Sequence, residues 1–302
     1  RYRPTRLIFV EQSEFALYRI LEEFADRHPE VPTAAIIADV KDAERMKRVF
    51  ADWRPHVVFH AAAYKHVPLM EELNAWQAVQ NNVLGTWITA QAAIDAGVSK
   101  FVLVSTDKAV NPANVMGATK RLAECVCASQ ESSATRFVTV RFGNVIGSAG
   151  SVVPKFREQI AQGRPVTVTH PDIERYFMSI PEAAQLVLQS GLMGKGGEIF
   201  VLDMGEPVKI VELARDLIRL SGLTENDIPI EFIGLRPGEK LFEELNVDSE
   251  HILPTYHEKV KIFRSSEPPS YLISAWLEQL KRLISQGDAA AVKAHLIALV
   301  PE

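Results

Sequence analysis

The sequence predicts an α/β protein built on a doubly wound parallel sheet, with a smaller α/β lobe closing over it. Two observations carry this expectation. Through about residue 145, short apolar runs alternate with stretches of helical periodicity, the pattern of βαβ units whose crossovers cover both faces of a sheet. Beyond that point the rhythm breaks: Gly147, Gly150, Gly163 and Pro165 interrupt short elements, as in a separate lobe.

Taken in order, residues 7–10 read as a strand, and Ser13 caps a helix whose inner face is Leu17, Ile20, Leu21 and Phe24. A strand at 34–38 and a helix at 43–50 follow, then the strand Val57–His60. Helical stretches run to Ala96, followed by a strand at 101–104, a helix at about 118–129 and a strand at 137–140. Right-handed crossovers make the doubly wound arrangement the natural one. Further helices are expected near 181–190 and 208–220, and two polar-faced helices without chemistry from Pro268. This divides the chain into a dinucleotide-binding part at 1–145, a mainly substrate-binding lobe at 146–265 interleaved with it, and C-terminal helices at 266–302. No repeat period is present.

The 302 residues are 47% hydrophobic and 24% charged, the proportions of a globular chain in water. A net charge of -5 argues against a nucleic-acid groove. Cys125 and Cys127 are two apart in a helical pattern, where side chains do not face each other, so reduced thiols are expected and no metal site. No apolar run approaches the ~18 residues that span a bilayer.

Doubly wound sheets bind ligands at the carboxyl ends of their strands, which directs attention to the segments after each strand. A dinucleotide fold normally opens with a strand, a glycine-rich turn and a helix holding the pyrophosphate. Here the chain enters what reads as the second strand, and no glycine-rich turn precedes Gly85. A chain truncated at its start is the expectation, with Glu11 ending that strand and placed to accept from ribose hydroxyls. After Val57–His60, the run A-A-A-Y-K-H at 61–66 leaves room for a flat ligand close to the backbone. At 105–120 stands S-T-D-K-A-V-N-P-A-N-V-M-G-A-T-K, a polar loop offering a hydroxyl, a carboxylate and an amine, then a helix on which Met116 and Lys120 share a face. On composition alone, a loop with a local Asp107–Lys108 ion pair explains that segment equally well. R-F-G-N at 141–144 follows the next strand, and Ser151 and Val152 open a helix whose free N–H groups suit a phosphate. Lys155 lies in its first turns. L-R-P-G-E-K at 235–240 brings Arg236, whose guanidinium matches phosphate oxygens, and Glu239, whose carboxylate matches ribose hydroxyls; Arg175 is a weaker candidate.

These motifs together resemble the extended short-chain dehydrogenases, and within them the UDP-N-acetylglucosamine 4,6-dehydratases of the CapD-like polysaccharide-biosynthesis group. The likeness also takes in S-E-F-A-L-Y at 13–18 and Y-K-H-V-P at 64–68. It implies a Rossmann-like fold, an NAD cofactor with NADP as the alternative, a UDP-sugar substrate and a homo-oligomer. NAD is favoured because Glu11 would repel a 2′-phosphate. The resemblance assigns Thr106, Asp107, Lys108, Met116 and Lys120 to catalysis, Lys108 as base and Asp107 as acid. Met116 stands where most short-chain dehydrogenases carry tyrosine, so the acceptor of the sugar C4 proton stays open between Thr106, Asp107 and a water near Lys120. Methionine-bearing relatives imply retention at C5. Cofactor contacts are implied for Glu11, Asp39, Val40, Ala61, Ala62, Ala63, Lys65, Asn82, Ser105, Lys120 and Phe142. Substrate contacts are implied for Asn144, Ser151, Val152, Lys155, Arg236 and Glu239. A cytoplasmic location is expected, with a membrane reached only through segments outside this chain. An epimerase or simple dehydrogenase is the rival enzyme, and a non-catalytic binding module the rival from another class.

Overall fold

The computed structural model describes residues 2–130, 134–148, 150–244, 252–263 and 270–300. Its strands are β1 (Leu7–Glu11), β2 (Thr33–Ile37), β3 (Val57–His60), β4 (Lys100–Val104), β5 (Arg136–Arg141), β6 (Asn144–Ile146) and β7 (Val166–Val168). They continue as β8 (Glu174–Arg175), β9 (Phe177–Ser179), β10 (Glu198–Leu202), β11 (Val208–Lys209), β12 (Ile230–Phe232), β13 (Ile252–Pro254) and β14 (Val260–Phe263). The helices are α1 (Glu14–Arg27), α2 (Ala43–Trp53), α3 (Val67–Glu71), α4 (Ala75–Ala78), α5 (Gly85–Asp95) and α6 (Val115–Ala128). After them come α7 (Val152–Ala161), α8 (Ile180–Met193), α9 (Ile210–Leu220), α10 (Ser270–Gln286) and α11 (Ala289–Leu299).

The main sheet runs β13-β14-β10-β5-β4-β3 and is parallel from β3 through β4 and β5 to β10. Its central strands read as continuous apolar runs because both faces are covered: Phe101, Val102 and Leu103 have no exposure. One face packs on α2, α5 and α6 through Phe50, Ala93 and Ala123, and the other on α8 through Leu186 and Val187. Strands β1 and β2 form a parallel ladder of their own. Among the described residues β3 pairs only with β4, and Val57 and Phe59 are 45% and 44% exposed.

Local chemistry sets the helix starts. The side chains of Ser13, Asp42 and Asn114 accept from Ala16, Arg45 and Gly117 backbone N–H groups, satisfying donors left free in the first turn. Asn114 begins α6 three residues before the expected start at 118. The inner face expected for α1 is only partly realised: Leu17 is buried, but Ile20 is 36% exposed. A two-stranded ladder offers the helix little apolar surface to cover.

In the lobe, β7 pairs with β12 in parallel, and Val153, Phe156, Val168, Ala214 and Ile218 form its own core. Strands β10, β13 and β14 return to the main sheet, so the lobe is not one continuous stretch of chain. The C-terminal helices contribute Ile273, Leu277, Leu280, Val292 and Leu296 to a core shared with Val115 and Met116 of α6. They therefore buttress the helix expected to carry catalysis. No helix among the described residues is long and apolar enough to cross a membrane.

Candidate active site

The carboxyl ends of β3, β4 and β5 open into a cleft of about 490 Å³, whose far side is formed by the lobe. It brings together Ala61, Ala63, Lys65, Ser105, Thr106, Lys108, Met116, Lys120 and Phe142 from the sheet side. Asn144, Ser151, Val152, Lys155, Arg236 and Glu239 complete the other side.

Past β4 the chain tightens into a 3₁₀ turn, Asp107–Ala109, capped by Thr106. This turn sits on α6 at Gly117, where a Cβ would stand 2.2 Å from the Lys108 carbonyl oxygen. The Lys108 amine lies 3.0 Å from Asp107 Oδ1, 3.3 Å from Asn144 Oδ1 and 3.2 Å from Glu243 Oε1. The two carboxylates hold Lys108 above the ordinary lysine value, although burial, the largest single influence, and the Arg175 guanidinium push it down.

Lys120 donates to the Val104 carbonyl at 2.6 Å. Burial lowers its pKa to about 8, partly opposed by Glu124. Glu124 has no exposure and binds Ser105 Oγ at 2.6 Å and Arg141 Nε at 2.8 Å. This buried ion pair joins α6, β4 and β5 under the cleft, and Arg141 and Arg121 keep the Glu124 carboxyl below its usual range despite burial. His60 is buried and its pKa falls to about 3, through desolvation and then the Lys120 charge. Thr86 spends its proton on the Asn82 carbonyl, so His60 donates from Nε2 to Thr86 Oγ1 at 3.0 Å.

On the opposite wall Lys155 donates to Thr167 Oγ1 at 2.9 Å. Burial first, then the charges of Arg236 and Arg164, lower its pKa. Cations gathered on one wall, beside the N-terminus of α7, suit an anionic ligand. Glu239 accepts from Thr169 and from the Arg236 backbone N–H. Arg175 donates to the carbonyls of Glu174, Lys240 and Leu241, tying the 235–244 segment to the lobe.

Six expected site residues stand outside the cleft. Asp107 lies beneath its wall with a side chain of zero exposure. It packs toward Gly143, and its Oδ2 has no hydrogen-bond partner. Thr106, which lines the cleft, donates to Asp107 Oδ1 at 2.8 Å and links the carboxyl to the cavity. Asn82 is buried within a π-helical turn, Val79–Leu84. It bonds both backbone groups of Tyr64 and the Thr119 hydroxyl, bracing the 61–66 run against α6 rather than facing a ligand. Glu11 turns back to accept from Ser13 N–H, and Asp39 is held by Lys41. Val40 packs toward Gly85, and Ala62 is exposed beside the cleft. Glu243, Glu124 and Arg141 are the residues the sequence reading missed. Nothing in sequence spacing couples Glu243 to Lys108, and a buried glutamate on α6 looks like any helical glutamate. Cys125 and Cys127 are buried and free, and no cluster of metal-ligating side chains occurs among the described residues.

Residues 1–265 match the family described as "Polysaccharide biosynthesis protein". The chain is 53% identical over 268 residues to the capsular polysaccharide biosynthesis protein CapD of Staphylococcus aureus, covering 87% of this chain and 44% of that protein. It thus spans less than half the length of that relative. It is 34% identical over 257 residues to a UDP-N-acetylglucosamine 4,6-dehydratase (inverting) of Campylobacter jejuni, covering 83% and 72% of the two chains. Among solved structures, Pen from Bacillus thuringiensis superposes with a TM-score of 0.78 at 34% identity, over 88% of this chain and 83% of that one.

Proposed function

This chain belongs to the polysaccharide biosynthesis protein family, and we propose that it carries the catalytic core of a nucleotide-sugar 4,6-dehydratase. The substrate is UDP-N-acetylglucosamine and the product its 4-keto-6-deoxy derivative. The observation that carries this reading is the Thr106–Asp107–Lys108 turn, which aims an amine into a cleft whose opposite wall gathers Lys155 and Arg236. An epimerase needs no second acid–base pair of this kind, and a pure binding module needs none at all.

NAD, when bound, supplies the hydride acceptor at sugar C4 and the hydride donor at C6. The cleft suits its nicotinamide half: Ala61 and Ala63 leave backbone within reach, and Lys120 projects from α6 beside Met116. Oxidation at C4 acidifies the C5 proton, and Lys108 removes it. Before that step the Lys108 ammonium passes its own proton to Asp107 Oδ1, 3.0 Å away. Asp107 then gives this proton, through the Thr106 hydroxyl that links it to the cavity, to the C6 oxygen as it departs as water. The C5 proton on Lys108 restores the resting pair. Acid–base help of this kind is worth about 10²–10⁴ in rate. Lys120, with a pKa near 8, exchanges protons close to neutrality and serves the C4 hydroxyl in the place where Met116 cannot titrate. Lys155 and Arg236 hold the diphosphate, and Glu239 the ribose.

The test follows hydrogen through one turnover of the whole protein. UDP-N-acetylglucosamine deuterated at C4 should give a 4-keto-6-deoxy product with the label at C6 and solvent hydrogen at C5, read by mass spectrometry. Net accumulation of reduced cofactor would make the protein a dehydrogenase instead. An epimerised sugar that keeps its 6-hydroxyl would make it an epimerase.

A further inference from the structure

A charged lysine has three N–H donors, and each Lys108 donor has an oxygen within reach. They are Asp107 Oδ1 at 3.0 Å, Glu243 Oε1 at 3.2 Å and Asn144 Oδ1 at 3.3 Å. The three oxygens come from three places: the 3₁₀ turn itself, the 235–244 segment of the lobe, and the start of β6. Two carboxylates therefore face one ammonium, and the Arg175 guanidinium stands behind Glu243 at 3.4 Å. Asp107 is the chain neighbour of Lys108 and is sealed beneath the wall. Glu243 arrives from the other side of the cleft with a side chain only 5% exposed.

This arrangement is poised against the chemistry assigned to the amine, because a base must shed its proton before it can take another. The Asp107 and Glu243 charges oppose that loss, and Arg175 only partly offsets them. Of the two carboxylates, among the described residues only Glu243 has a second cation to turn to, Arg175. Released from Lys108, Glu243 keeps Arg175, so its own buried charge is not left unpaired, which would otherwise be costly. Resting on the reading of Lys108 as the C5 base, we propose that Glu243 is a positioning residue that holds the Lys108 amine charged in the resting site. It thereby sets the pH at which Lys108 begins to work as a base.

The experiment titrates Lys108 directly. The whole protein is treated with a small amine-acylating reagent from neutral to strongly alkaline pH, and labelling of the Lys108 peptide is read by mass spectrometry. Glu243→Gln keeps the shape and an acceptor oxygen but removes the charge. Its labelling midpoint should fall by roughly 1–3 pH units, the range for loss of one close opposite charge. Should that variant not fold, Glu243→Asp carries the test, with a smaller shift in the same direction because its carboxylate sits farther from the amine. An unmoved midpoint overturns the proposal. So does labelling changed by one factor at every pH, the mark of a packing role. Labelling needs no turnover, so it stands apart from product analysis. If the protein makes the 4-keto-6-deoxy sugar, the acid limb of elimination should move down with the labelling midpoint, and an unmoved limb counts against the proposal.

Discussion

At the scale of single residues, the cleft places two lysines in opposite electrostatic settings. Lys108 is held charged by carboxylates, whereas Lys120 is buried with a pKa lowered to about 8 from 10.5. The sign of the stability effect follows. Below about pH 8, Lys120 is protonated folded and unfolded, and contributes no slope. Between about 8 and 10.5 the unfolded chain binds more protons, so stability rises with pH. Lys120→Met lacks this gain. The stability of the wild type relative to Lys120→Met should therefore improve across that window by roughly 3 kcal/mol, measured by denaturant unfolding at a series of pH values. A difference that stays flat with pH would mean Lys120 titrates as an ordinary lysine. This residue was legible in sequence because Met116 and Lys120 share a helix face, and both line the cleft. Asp107 was legible as an acid beside Lys108 but not as a buried one. Adjacent residues on a turn diverge, and sequence does not say which of the two faces the cavity.

At the scale of elements, the 3₁₀ turn and α6 behave as one unit because Gly117 lets them touch. Alanine is the better helix former by about 1 kcal/mol, so Gly117→Ala on an isolated helix would stabilise. Here its Cβ would meet the Lys108 carbonyl oxygen at 2.2 Å and Pro112 Cβ at 3.1 Å. The first contact is with backbone, which cannot rotate away, so the turn must move. Overpacking of this kind costs about 1–3 kcal/mol, and the shift falls on Lys108 and Thr106. Gly117→Ala should lower the melting temperature and reduce turnover well beyond the loss of folded protein; unchanged turnover would show that the turn's position does not matter. Strand and helix periodicity made most of these elements readable, within a few residues at their ends. The expected start of α6, about 118, falls three residues late because the cap at Asn114 lies inside a run that reads as loop. The burial of α1 was overestimated because periodicity reports which face is apolar, not whether a neighbour covers it.

At the scale of the whole molecule, a chain of net charge -5 assembles a cationic wall from distant parts of one lobe. Lys155 comes from α7 and Arg236 from the segment after β12, with the charge of Arg164, from the turn after α7, felt at Lys155. The Thr106–Lys108 turn stands on the sheet across the cleft, so on the proposed reading binding and chemistry are divided between two bodies of structure. Arg236 shows why only part of this was readable: its residue type suggested phosphate, but its meeting with Lys155 is a product of the lobe's packing. That division makes a separable prediction. Arg236 is exposed, and its hydrogen bonds among the described residues are backbone ones, its N–H to the Glu239 carboxylate and its carbonyl from the Glu239 N–H, so removing its side chain should leave the fold and the Lys108 turn in place. A charge-assisted hydrogen bond to a diphosphate contributes about 1.5–3 kcal/mol. If it is equally strong in ground and transition states, its loss appears in KM with kcat nearly unchanged. Arg236→Ala should therefore raise KM for the UDP-sugar by about 10-fold to 100-fold, and flatten the dependence of KM on salt, because one screened charge pair is gone. Steady-state kinetics at two ionic strengths reads both effects. An unchanged KM in a folded variant removes Arg236 from the ligand wall, and a fall in kcat alone would mean that the two sides of the cleft are not independent.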